Sequence, residues 1–356
     1  MLKIEGLTVE VPGFVLRDVN LEIAKGEFFA IMGPTGSGKS LLVEAITGLL
    51  PSNMLDFEGS IWRNGKEITH LPPNRRNIGI LYQDVALFPH MTVEQNISYG
   101  LRYCKGNGAN AQKRFQFFVK RFDLGHILHR YPARISGGER QRVALARVLV
   151  LDPDVVLLDE PISGLDPLFQ GDIRRLLRQL HSELGITFVM VSHDFEEVMY
   201  LAQKGAVIHQ GQVVQQAQID EIFNRPASTF VARFVGAKNV FKVRFENGLA
   251  YIGSTSVRIA DACLVPDFDH IVIRPEKIVP VLDMPDIRTG LENMFWGKVL
   301  EMSYCNFSVH LKIQKDETIF RAVWPEIYVR KMGLHVGKKV GFAFNKADVS
   351  TFREAK

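Results

Sequence analysis

Cysteine is scarce in this chain. Its 356 residues hold three, Cys104, Cys263 and Cys305, too scattered for a disulfide framework or a metal-binding spacing. They read as the reduced thiols of a cytoplasmic protein. Long apolar runs are missing too: none approaches the roughly 18–20 residues that span a bilayer. Membrane association is therefore expected only at the periphery and through a partner. No leader is apparent, because Met1-Leu2-Lys3-Ile4-Glu5 opens directly as an alternating strand. Charge of one sign is in short supply. A net +4, with no basic run interleaved with aromatics, gives no ground for a nucleic-acid partner. Repeats and low-complexity tracts are absent. What remains is ordinary: 46% apolar and 23% charged residues, with length enough for two domains and a large core.

Against that plain background one segment stands out. Gly33-Pro34-Thr35-Gly36-Ser37-Gly38-Lys39-Ser40 fits the phosphate-binding pattern G-x-x-x-x-G-K-[ST] at every fixed position. The glycines allow turns that a Cβ would resist, and the inward N–H groups cradle phosphate oxygens. Lys39 is expected to reach the β- and γ-phosphates, and the Ser40 hydroxyl to ligate Mg²⁺. An apolar strand, Phe28–Met32, precedes the loop, and a helical stretch, Leu41–Ile46, follows it. The helix dipole favours an anion at that end.

A second cluster points to hydrolysis. Val155-Val156-Leu157-Leu158 reads as a buried strand ending in Asp159-Glu160-Pro161. A carboxylate there, Asp159, is placed to hold Mg²⁺ opposite the loop. Glu160, one residue on, is placed to polarise the attacking water as general base. An acidic pair at a strand end is weak by itself; beside a full phosphate loop it is strong. The third cluster is Ile135-Ser136-Gly137-Gly138-Glu139-Arg140-Gln141-Arg142. Ser136 and Glu139 make a capping box at a helix start. Gly137 and Gly138 leave N–H groups bare at the positive helix end, which suits a phosphate.

With these motifs in order, the chain resembles the ATP-binding subunits of ABC transporters over about its first 235 residues. The resemblance adds Gln83 in Leu81-Tyr82-Gln83-Asp84, the run Ser163-Gly164-Leu165-Asp166, and His193 in Val191-Ser192-His193-Asp194. It implies that two copies pair head to tail, each ATP lying between one copy's phosphate loop and the other's Ser136-Gly137-Gly138. It implies that Gln83 contacts Mg²⁺ and the lytic water, His193 the γ-phosphate, and that Asp166 bridges the dimer. Taken singly, a Gln after a strand, a His at a strand end and an Asp before Pro favour a surface, packed or turn role; in this order they do not. Two departures stand out. Ile135 and Glu139 replace the usual Leu and Gln, and capping is expected to point Glu139 away from phosphate. No aromatic occupies the usual adenine-stacking place, to which Val11 aligns; Phe14 either substitutes or belongs to the core.

The expected fold class is an α/β P-loop NTPase core with a helical subdomain over about 85–150, followed by a small all-β OB-like domain. The first domain is set at 1–235 and the second, regulatory one at 236–356. Strand–helix alternation implies a mostly parallel sheet. Amphipathic helices are expected over 111–122 and 172–180, the latter with Ile173, Leu176, Leu177 and Leu180 on one face. The region Leu87–Val93 is expected, by resemblance, to receive a helix of a transmembrane permease, with Phe88 and Met91 lining an apolar groove or lying in the core. Beyond 235, short period-2 runs suggest a barrel or sandwich. The layout there resembles ABC importers for molybdate or tungstate, sulfate, iron, polyamines and sugars, and most closely the oxyanion members. By resemblance the chain works at the cytoplasmic face with a permease and, indirectly, an extracytoplasmic binding protein. Arg274, Lys298, Lys312 and Arg321 are anion candidates by charge alone, and a solvated face is the commoner role for each. A soluble ABC ATPase of translation or repair is the rival reading; it expects two cassettes or a long coiled-coil insert, neither of which is present. A ligand sensor is the other, and the full catalytic set argues against it.

Overall fold

Phe28–Met32 (β3) is apolar on both faces, and all five residues are buried. Such a strand needs neighbours on each side and cover on each face. The computed structural model supplies them. The structure describes residues 1–50, 56–103, 108–260, 267–281 and 291–354, in two compact units, Met1–Ile219 and Asp220–Lys356. Before β3 come β1 (Leu2–Val11) and β2 (Phe14–Ile23); after it come α1 (Lys39–Thr47), β4 (Asp56–Arg63), β5 (Lys66–Glu67) and β6 (Ile78–Leu81). The next stretch is helical: α2 (Val93–Ser98), α3 (Gly108–Arg121) and α4 (Gly137–Leu149). The unit finishes with β7 (Val155–Asp159), α5 (Pro167–Leu184), β8 (Thr187–Val191), α6 (Phe195–Leu201), β9 (Lys204–His209) and β10 (Gln212–Gln218).

One sheet runs β10-β9-β3-β8-β7-β6. Its strands pair in parallel except β10, which is antiparallel on the edge. The expected mostly parallel sheet is thus present, with β10 as its antiparallel member. β1, β2, β4 and β5 form a separate antiparallel sheet in the order β2-β1-β4-β5. One core joins the two, with Leu2, Ile4 and Leu21 packed in the same cluster as Ile31, Leu42 and Val189. The capping box read from the sequence, Ser136 with Glu139, is formed, and a second one, Thr92 with Gln95, opens α2. On α5, Ile173, Leu177 and Leu180 are buried as their spacing requires, with Leu176 half-buried.

Arg76 ties the first unit together in a way no motif announces. It is 4% exposed. Its guanidinium donates to the Ala45 and Ile46 carbonyls at 2.6 and 2.9 Å, and to Thr69 and Leu71. Carbonyls at the C-terminal end of α1, where the helix itself supplies few donors, thereby gain a charged partner.

The second unit begins with the body of α7 (Ile219–Asn224) and α8 (Thr229–Phe234). The sequence division at 235/236 falls later than this, and the reason lies in Arg274. That side chain donates to the Phe223 carbonyl at 2.9 and 3.0 Å and to the Val235 carbonyl at 3.3 Å. Thr229 is held by Glu354, and Ala232 packs with Val272 and Phe352. Both helices therefore belong to the β unit. Its strands are β11 (Asn239–Lys242), β12 (Arg244–Glu246), β13 (Leu249–Ile252), β14 (Thr255–Arg258), β15 (His270–Ile273) and β16 (Val279–Pro280). Then come β17 (Asn293–Cys305), β18 (Ser308–Lys315), β19 (Thr318–Pro325), the short α9 (Glu326–Lys331), β20 (Lys339–Phe344) and β21 (Val349–Phe352). All pairings are antiparallel, in sheets β11-β15-β21, β12-β13-β14 and β16-β20-β17-β18-β19. A bulge between Val299 and Glu301 bends the last sheet. Its concave face buries Phe320, Phe342, Phe344 and Trp324, whose indole donates to the Ile278 carbonyl at 2.7 Å. The expected all-β OB-like domain is thus present. Of the cysteines, Cys305 is exposed; Cys104 and Cys263 lie outside the described residues.

Candidate active site

Parallel strands end on the same side, and here four adjacent ones do. Gly33 leaves β3, His193 follows β8, Asp159-Glu160 ends β7 and Gln83 follows β6. Motifs up to 160 residues apart in the chain are thereby gathered at one carboxyl edge, where α/β sheets bind ligands.

The phosphate loop is shaped by its packing as well as its glycines. Gly38 caps α1 with φ 103°, and a Cβ there would meet Leu16 Cδ2 at 2.7 Å and Phe14 Cε1 at 2.8 Å. A Cβ at Gly33 would lie 2.4 Å from the Ile208 carbonyl oxygen. Lys39 Nζ folds back into the loop and donates to the Gly33 and Pro34 carbonyls at 2.8 and 2.9 Å. Burial lowers its pKa, while Glu160 and Asp159 pull the other way. Ser37 Oγ is buried without a hydrogen-bond partner. Ser40 is exposed in the first turn of α1.

Across from the loop, Glu160 sits in a tight turn with φ 46°. Its N–H donates to the Val191 carbonyl at 2.9 Å, and its own carbonyl accepts from the Ser163 hydroxyl at 2.9 Å. One carboxylate oxygen lies 2.9 Å from His193 Nδ1. The predicted base and the histidine expected at the γ-phosphate are therefore direct partners. Asp159 has its pKa raised, chiefly by burial and then by Glu160, with Lys39 opposing. A half-buried carboxylate pair with one lysine opposing it is short of positive charge, which suits a cation. Gln83 is exposed just beyond β6.

Ser136 opens α4. Its Oγ accepts from the Glu139 N–H at 3.2 Å, and its own N–H donates to Glu139 Oε2 at 2.6 Å. The Glu139 carboxylate thus turns back as expected, and that backbone bond is the main cause of its lowered pKa. Among the described residues no hydrogen bond joins Ser136, Gly137 or Gly138 to the Gly33–Ser40 loop. Asp166 is exposed and caps α5, accepting from the Leu168 N–H at 2.9 Å.

Comparison with known proteins settles the family. The ABC transporter profile matches residues 16–163. A molybdate/tungstate import ATP-binding protein of Pyrococcus abyssi is 32% identical over 352 residues, 99% of this chain and 100% of that one. This chain belongs to the ABC transporter family. An Fe(3+) ions import ATP-binding protein of Fusobacterium nucleatum is 40% identical over 301 residues, 84% of this chain and 80% of its own. Among solved structures, a dimeric ATP-binding cassette in a post-hydrolysis state with ADP and Pi matches with TM-score 0.53 and 30% identity. It covers 62% of this chain and 99% of its own length. The chain is thus the ATP-hydrolysing subunit of an ABC importer.

In this ABC ATPase a cleft of about 580 Å³ lies beside the phosphate loop, lined by Val11, Phe14, Arg17, Pro34, Thr35 and His209. Phe14 is half-buried: one edge rests on Gly38 and the core, and the ring also lines the cleft. The two readings of Phe14 are therefore compatible. Sequence reasoning missed Arg17 and His209, which come from β2 and from the end of β9 and carry no local pattern. In the β unit, three of the four basic candidates are engaged. Arg274 holds backbone carbonyls, Lys312 pairs with Glu301 at 2.5 Å, and Arg321 donates to the Lys238 carbonyl at 3.1 Å. Lys298 is exposed.

Proposed function

We propose that this subunit drives import of an inorganic oxyanion of the molybdate or tungstate type. The observation that carries this is the length of the match: similarity to the Pyrococcus abyssi protein runs through the C-terminal β unit as well as the cassette. Iron import is the second reading, favoured by the higher identity of the Fusobacterium protein. Titration calorimetry on the full chain distinguishes them. A saturable heat with molybdate or tungstate, and none with ferric citrate, is the expected result. Heat with ferric citrate alone overturns the oxyanion reading.

The proposed working unit is a head-to-tail dimer. Ser136, Gly137 and Gly138 of one copy close over ATP held by the other copy's Gly33–Ser40 loop, and Asp166 lies at the seam. The N-terminus of α4 supports this: its capping box engages the N–H groups of Ser136 and Glu139, not those of Gly137 and Gly138, which with the helix dipole suit a phosphate. Mg²⁺ would be held by Ser40, Asp159 and Gln83, hard oxygen donors of the kind it prefers. When bound it supplies charge neutralisation at the phosphates. Glu160 takes the proton of the attacking water, His193 keeps that carboxylate in place and faces the γ-phosphate, and Lys39 swings from the Gly33 and Pro34 carbonyls to the phosphates. Permease subunits dock near Gln83 and Phe88, at the cytoplasmic face, with an extracytoplasmic binding protein beyond them. Phe88 is half-buried, with its ring 4.6 Å from that of Tyr99 and under the Arg147 guanidinium. Among the described residues no helix is long and apolar enough to cross a membrane.

Phe14 is the proposed adenine platform. Stacking of a base on an aromatic side chain contributes about 1–3 kcal/mol. Phe14→Ala is therefore expected to raise KM for ATP roughly tenfold with kcat little changed, and Phe14→Trp to restore it. Steady-state kinetics check this. An unchanged KM assigns Phe14 to the core alone.

A further inference from the structure

Beneath the His193 turn lies a buried carboxyl that the chemistry above does not use. Glu197, in the first turn of α6, is 2% exposed. Its Oε2 accepts from the Ser192 hydroxyl at 2.5 Å, and its Oε1 is buried without a hydrogen-bond partner. The same hydroxyl accepts from the Asp194 N–H at 3.1 Å. One hydroxyl, aimed by Glu197, thus closes the turn that carries His193, whose Nδ1 lies 2.9 Å from Glu160.

Three charged groups face Glu197. Asp194 caps its own helix, Arg174 comes from α5, and Glu160 from the end of β7. The one cation among them is shared: Arg174 also pairs with Asp194 at 3.1 Å and Glu196 at 3.2 Å. We propose that Glu197 is a positioning residue for ATP hydrolysis, its buried carboxyl holding the Ser192–Asp194 turn so that His193 faces Glu160. With Oε1 unpartnered and Arg174 shared, an ionised Glu197 leaves an underpaired charge beneath the turn and slows turnover. The inference rests on the reading of His193 and Glu160 as acting groups.

The titration falls in an accessible range. Burial above all, then Asp194 and Glu160, pushes the Glu197 carboxyl up to about 7, against the Ser192 hydrogen bond and Arg174. A raised folded pKa means a stabilising proton that is fully held below the unfolded value of 4.5 and lost as pH rises through about 7. Turnover is expected to follow the same proton.

The test compares full-length wild type with Glu197→Gln, whose amide keeps the shape and stays neutral. Between about pH 6 and about pH 8.5, the ratio of wild-type to variant kcat is expected to start near one and fall about fivefold, with KM for ATP unmoved. Glu197→Ala is expected to be about tenfold slow throughout, with circular dichroism confirming its fold. A ratio that stays flat with pH, or a Glu197→Ala chain as fast as wild type, overturns the proposal. A His193→Ala control separates the two layers: full activity there removes the reading of His193 itself.

Discussion

A Glu160→Gln chain is expected to bind ATP and to hydrolyse it at least roughly 100-fold more slowly than wild type, the ordinary worth of a general base. The geometry makes this substitution informative. The Glu160 backbone is fixed by Val191 and Ser163, not by its side chain. An amide keeps the side-chain length, and its oxygen can still meet His193. What it loses is the ability to take a proton. It also removes one negative charge from beside Asp159, whose pKa Glu160 helps to raise. Binding should therefore survive while chemistry stops, and ATP should be retained. Single-turnover kinetics read this directly; hydrolysis at the parent rate would take the base role away from Glu160.

Lys39→Ala is expected to fail one step earlier. Lys39 is the cation that Asp159 and Glu160 both face. It already sits inside the loop, half-buried, with its amine satisfied by two carbonyls rather than by an acid. Burial weakens its hold on the proton, so the site spends stability to keep a cation there, and phosphate is the partner that repays it. Removing it leaves two carboxylates facing the phosphates unopposed. Turnover should fall by at least roughly 100-fold, and ATP affinity with it. Calorimetric ATP binding and steady-state kinetics check both. The helix should persist, since Gly38 rather than Lys39 caps α1.

Much of the site is written locally. The Gly33–Ser40 loop, the β7 run into Asp159-Glu160 and the Ser136–Glu139 capping box each depend on residues within a few positions of one another. The pairing of His193 with Glu160 does not. It arises because Asp159 lies in register with Val191 on the neighbouring parallel strand, and register between strands 30 residues apart has no local signature. Glu197 escaped for a related reason: in the sequence it is one acid in Asp194-Phe195-Glu196-Glu197, and only packing separates it from its exposed neighbour Glu196. The same holds for the domain division. The composition changes after residue 235, but Arg274 binds the preceding helices to the β unit from 40 residues downstream. The first strand, β1, was legible as a strand, yet its antiparallel pairing with β4 in a separate sheet was not. Charge alone marked no anion site in the β unit, where Arg274, Lys312 and Arg321 serve carbonyls and a carboxylate.

The composite nucleotide site is tested most directly by ATP retention. Labelled ATP with Mg²⁺ is added to full-length Glu160→Gln, with and without a second change, Gly137→Asp, and the protein is rapidly desalted. A Cβ at Gly137 has room, its nearest neighbour 3.8 Å away, and an acid at a helix start suits the dipole, so the double variant should fold. It also sets a carboxylate where the partner's phosphate would lie. Glu160→Gln should carry ATP through the column and the double variant should lose it. Equal retention by both would mean that Ser136-Gly137-Gly138 takes no part in holding the nucleotide, and the head-to-tail site would have to be abandoned.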